Sequence, residues 1–124
     1  MSDARTPGAL RLSKGTWLFA PDGVDVLLRV DPRPAPSMEG FFSQPVRARL
    51  EVQARSSSAG GAAPVIEPRT GVPDRIAGRV VAIEGGAVII DAGIPFAVGG
   101  VVAAVGDGVD VVVDIDAGVT CVLG

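Results

Sequence analysis

Val109–Asp116 reads V-D-V-V-V-D-I-D. In an extended chain Val109, Val111, Val113 and Ile115 fall on one face, and Asp110, Val112, Asp114 and Asp116 on the other. Side chains alternate along a strand, so a period of two with one apolar side is the mark of a half-buried strand. Upstream, Val24, Val26, Leu28 and Val30 share a face, with Asp25 and Arg29 opposite. Val46, Ala48, Leu50 and Val52 likewise alternate with Arg47, Arg49, Glu51 and Gln53. Further strands are predicted over Thr16–Ala20, Ile76–Glu84, Ala87–Asp91, Gly100–Val105 and Val119–Leu123, most of them rich in β-branched Val. Almost nothing repeats with a helical period. The pattern predicts an all-β protein, a single small barrel or a two-sheet sandwich.

Turn residues punctuate these strands. Pro21-Asp22-Gly23 and Gly106-Asp107-Gly108 read as tight turns, and Gly85-Gly86 reads as a hairpin. Asp31–Ser37 and Arg55–Arg75 are rich in Pro, Ser, Gly and Ala and read as loops, the second flexible and joining two strand-bearing halves. With no disulfide or metal to stabilise so small a half, the halves are expected to pack as one domain over residues 1–124. There is also an internal echo. Asp22–Asp31 (DGVDVLLRVD) and Asp107–Asp116 (DGVDVVVDID) agree at six of ten positions. Similar hairpins in a Val-rich chain explain this more readily than a duplication does, because the match does not extend far outside the ten residues.

The 124 residues include 11 basic and 14 acidic side chains, no His, no Tyr and one Cys. The balance argues against a strongly electrostatic nucleic-acid binder. Lack of His removes His-based triads, and a lone Cys121 cannot form a disulfide within one chain. Ser13 and Lys14 are adjacent and would face opposite ways on a strand, and no phosphate-loop motif is present. The reading is therefore not an enzyme, with no cofactor and no metal. The start MSDARTPG lacks the pattern of a secretory signal, and aliphatic runs such as Val101–Val105 are too short to cross a bilayer. A cytoplasmic protein with no membrane partner is the expectation.

Gly78-Arg79-Val80-Val81-Ala82-Ile83, then Gly86-Ala87-Val88-Ile89, then Val105-Gly106-Asp107-Gly108-Val109-Asp110-Val111 form a series of short strand motifs. In these motifs the C-terminal third resembles the OB-fold barrels, especially the RNA-binding barrel repeats of ribosomal proteins. The resemblance implies an OB-like C-terminal part, to which the N-terminal strands are additional.

Two kinds of surface follow. From Val80 onward there are six acidic residues and no Lys or Arg, so the chain is expected to carry an acidic end. Asp110, Asp114 and Asp116 would line one strand face there. Val119–Leu123, V-T-C-V-L, is an uncharged terminal strand; at a sheet edge its Val119 and Val122 would pair with a second copy. Val101–Val105 is a second candidate edge. These residues make a protein partner or homo-oligomer the favoured expectation. The alternative is single-stranded RNA or DNA, held by Arg47 and Arg49 with Phe41, Phe42 and Phe96 stacking on bases.

Overall fold

The computed structural model describes residues 5–34, 43–60, 64–100, 106 and 108–123. Among these residues ten strands run in the order β1 (Arg5–Ser13), β2 (Thr16–Pro21), β3 (Leu27–Arg33), β4 (Ser43–Ala59), β5 (Val65–Glu67), β6 (Thr70–Gly71), β7 (Arg75–Glu84), β8 (Ala87–Asp91), β9 (Pro95–Gly99) and β10 (Asp110–Leu123). No helix occurs among the described residues, so the protein is all-β.

The alternation in the sequence explains the two long strands. Along β4, Ala48, Leu50 and Val52 are buried while Arg47, Gln53 and Arg55 are exposed. Along β10, Val111, Val113, Ile115, Val119 and Cys121 are buried. These two strands pair antiparallel and form the spine of the fold. A first ring closes as β1–β2–β3–β10–β4 and back to β1. A second closes as β7–β8–β9–β4–β10 and back to β7. Both rings include the β4–β10 pair. The first uses the early part of β4, where Arg5–Arg11 face Ser43–Arg49, and the end of β10, where Val119–Val122 face Val30–Arg33. The second uses the start of β10, facing Arg75–Arg79, and the later β4, where Glu51–Gln53 face Ala97–Gly99.

The two rings follow one plan. Exchanging β1 with β7, β2 with β8, β3 with β9 and β4 with β10 leaves every ring pairing unchanged in direction. The parallel pair β3–β10 becomes the parallel pair β9–β4. Phe19 opposite Leu28 corresponds to Ile90 opposite Phe96, and all four are fully buried. Val30 opposite Val119 corresponds to Val98 opposite Val52. Most buried side chains of both rings belong to one contiguous cluster, while Ile89 and Ala97 form a small second one with Ala82 and Ala87. The Asp22–Asp31 and Asp107–Asp116 echo does not mark this correspondence, because the first leads into β3 and the second into β10, and the counterpart of β3 is β9.

Several boundaries differ from the sequence reading. Val119–Leu123 is not a separate strand: it continues β10 through an irregularity, where the register with β4 shifts between Asp116 and Thr120 and Ala117 adopts φ 64. Arg55–Ala59, read as loop, extends β4, because Ser56, Ser57 and Ser58 face β10 and strand pairing satisfies their backbone. Val65–Glu67 and Thr70–Gly71 are short strands added beside β7 and β3. The turn-like Ile94-Pro95-Phe96 opens β9. Val101–Val105 and residues 61–63 lie outside the described residues.

Candidate interaction surfaces

The acidic row of β10 is where the sequence places it, but it does not stand alone. β7 runs beside β10, with Arg75 opposite Asp114 and Arg79 opposite Asp110. Arg75 Nε donates to Asp114 Oδ1 at 2.8 Å, and Ser56 Oγ donates to Asp114 Oδ2 at 2.9 Å. Arg79 Nε reaches Asp110 Oδ1 at 3.4 Å. The hydrogen bond from Arg75, followed by that from Ser56, lowers the Asp114 carboxyl below its ordinary value. The expected acidic end is thus neutralised in part by arginines that precede Val80 in sequence and lie beside it in space. Asp116 differs: it is exposed and has no ion pair among the described residues.

Asp116 borders a hollow of about 400 Å³ where the two rings meet, lined also by Asp31, Glu51, Gln53 and Thr120. Asp31 accepts from Arg33 Nη2 at 2.9 Å and Glu51 from Arg49 Nε at 3.1 Å, so two of its three carboxylates already face arginines.

The expected pairing edge is absent. Val119–Val122 is flanked by β3 on one side and Thr120–Leu123 by β4 on the other. Val119 is 2% exposed, and Val122 is half-buried between Arg33 and Arg49. Neither can hydrogen-bond to the backbone of a second copy while the ring is closed. Cys121 is fully buried in the same segment, and desolvation pushes its thiol up to about 11, which suits packing rather than reactivity.

The nucleic-acid set is also dispersed. Phe96 is fully buried in the second ring and offers no face to a base. Phe41 and Phe42 lie outside the described residues. Arg47 is exposed on the outer face of β4. Arg49 is half-buried and donates from Nε to Glu51 and from Nη1 to Glu84, the latter at 3.2 Å.

Two surfaces were not visible in the sequence. The first is the β7–β8 hairpin. The register between its strands slips between Val80 and Ala82, leaving Val81 as an extra residue at 42% exposure. Ile83, opposite Val88 near the hairpin tip, is 55% exposed. These are the exposed large hydrophobics among the described residues. Alternation could not reveal them, because a bulge changes which residues face out. The second is a row across the first ring: Arg11 on β1 lies opposite Leu18 on β2, which lies opposite Arg29 on β3. Both arginines are exposed and have no ion pair among the described residues. This row depends on a β1 strand that Pro7 and Gly8 disguise in the sequence.

No family model, no curated protein and no solved structure matches this chain.

Proposed function

We propose that this protein is a non-enzymatic binding module that works through a protein–protein surface, with a second copy of itself among its partners. The observation that carries the reading is the pair Val81 and Ile83, large aliphatic side chains left in water on one hairpin. Full burial of such a side chain is worth about 1.5–3 kcal/mol, so a complementary apolar surface gains from covering both. The hairpin is held in place as it would need to be, since Glu84 at its tip accepts from Arg49 of β4. This moves the contact from the Val119–Leu123 edge to side chains on an outer face. Sedimentation of the chain at micromolar concentration tests it. Association that survives 0.5 M salt and is lost in Ile83→Asp supports the reading. A 12.5 kDa monomer throughout the range removes association through the hairpin.

A second reading is single-stranded RNA or DNA binding, and the Arg11–Leu18–Arg29 row favours it. Each ring has five strands, as does an OB-fold barrel, and such barrels bind oligonucleotides across strands 2 and 3. In the first ring those strands are β2 and β3, with Lys14 in the turn before them. Binding of a labelled oligonucleotide that weakens steeply with salt, and is lost in Arg11→Ala/Arg29→Ala, distinguishes this reading from the apolar one.

A further inference from the structure

We propose that two copies of this chain associate by reciprocal exchange of halves, the N-terminal half of each closing its ring with the C-terminal half of the other. This goes beyond the hairpin contact and is independent of it, since the exchange leaves Val81 and Ile83 unused.

The reason lies in how the rings close. β1, β2, β3 and early β4 cannot complete the first ring, because among the described residues the strand that bridges β3 to β4 there is the end of β10. β7, β8, β9 and early β10 cannot complete the second, because the strand bridging β9 to β10 is the later β4. Each half therefore supplies the closing segment of the other's ring. The seam consists of β4–β10, β3–β10 and β4–β9, together with the short β3–β6 pair. None of these pairings depends on the halves belonging to the same chain. The covalent connection between the last pairing of β4 and the first of β5 is a single passage from Ala59 to Val65.

An exchanged dimer repeats every pairing of the closed monomer twice and differs only along that passage. Such exchange is a low-cost route to dimers because it needs no new interface. A short linker holds the two halves at an effective concentration in the millimolar range, so the closed monomer prevails in dilute solution and exchange competes when the chain folds at comparable concentration. Once formed, the dimer is trapped, since separating it means breaking the β4–β10 seam.

The test uses the full chain with a protease recognition sequence placed between Gly60 and Pro64. The chain is unfolded, then refolded at about 5 µM and at about 1 mM, the latter matching the effective concentration. Monomer is expected from the first and a species of twice 12.5 kDa from the second, persisting on dilution. Complete cleavage of the isolated dimer is then expected to halve its native mass, because each exchanged unit is held together without its linker. The Ile83→Asp variant is expected to give the same dimer and the same halving. Absence of a dimer at the higher concentration overturns the exchange. So does a dimer that keeps its mass after cleavage or disperses on dilution without unfolding. If that dimer is also lost in Ile83→Asp, the hairpin reading stands and only the exchange fails.

Discussion

At Gly8 and Gly78 the backbone leaves no room for a side chain. A β-carbon on Gly78 would overlap the Asp91 carbonyl oxygen, and one on Gly8 would sit 2.5 Å from the Ala20 carbonyl and 2.7 Å from the Phe19 ring. The two glycines hold corresponding places in the two rings, each two residues before the residue opposite Phe19 or Ile90. Gly78→Ala is expected to cost upwards of about 3 kcal/mol, the top of the usual range for overpacking, because the obstacle is backbone that cannot rotate away. Gly86→Ala, with open space around its β-carbon, is the control and is expected to change stability by under about 0.5 kcal/mol in denaturant unfolding. Thr6 presents the opposite case. It is 4% exposed, and its hydroxyl has no hydrogen-bond partner among the described residues. Thr6→Val keeps the shape and removes that uncompensated group, so a gain of about 1 kcal/mol is expected in the same measurement. Asp114 sets an acid limit. Its carboxyl titrates below the ordinary value when folded, so the unfolded chain takes up a proton first as pH falls. The stabilisation is present at neutral pH and is lost as pH drops through the folded value. The stability gap between wild type and Asp114→Asn is therefore expected to be constant at neutral pH and to close in acid; a gap independent of pH would show that the Arg75 contact does not act through charge.

β10 shows how far a sequence pattern reaches. Its apolar residues alternate so regularly from Val109 to Ile115 that the strand is legible from composition and period alone. What its neighbours are is not legible, because alternation reports that a face is buried and not what buries it. Hence Val119–Leu123 reads as a free edge when it is the closing strand of the first ring. The same limit hides β1: Thr6, Gly8, Leu10 and Leu12 point inward, but two of the four are not hydrophobic and Pro7 interrupts the run. It also hides β9, whose opening at Pro95 looks like a turn. The acidic row is legible as residues but its arginine partners are not, because Arg75 and Arg79 lie 39 and 31 residues away in sequence from Asp114 and Asp110. The closed position of Val119–Leu123 has a measurable consequence. A charge introduced at an exposed edge would only weaken association, and the folded monomer would be spared. At 2% exposure, Val119→Lys instead buries an unpaired ammonium, a change among those that cost more than about 4 kcal/mol. The variant is expected to lose its folded strand signal in circular dichroism at room temperature. A folded, monomeric Val119→Lys would contradict the ring.

Over the whole molecule, the shared β4–β10 pair is expected to make the two rings a single cooperative unit. Two domains joined by a linker would unfold separately, and damage to one would leave the other's midpoint in place. Here each ring loses a closing strand when the other opens, and most buried side chains of both form one cluster. The chain carries a single Trp, Trp17, on β2 of the first ring. Ile90 lies on β8, which belongs to the second ring alone, and it is fully buried. Ile90→Ala removes aliphatic volume that the close-packed core cannot refill and is expected to cost about 2–5 kcal/mol. If the rings share one transition, that loss appears in full in the fluorescence of Trp17, on the far side of the seam. The denaturant midpoint from Trp17 should then fall as far as the midpoint from far-ultraviolet circular dichroism, with the two curves superimposing in wild type and variant alike. A Trp17 midpoint that stays at its wild-type value while the circular dichroism curve splits in two would mean that the first ring holds without the second, and that the end of β10 docks on β3 and β4 even when its own half is unfolded.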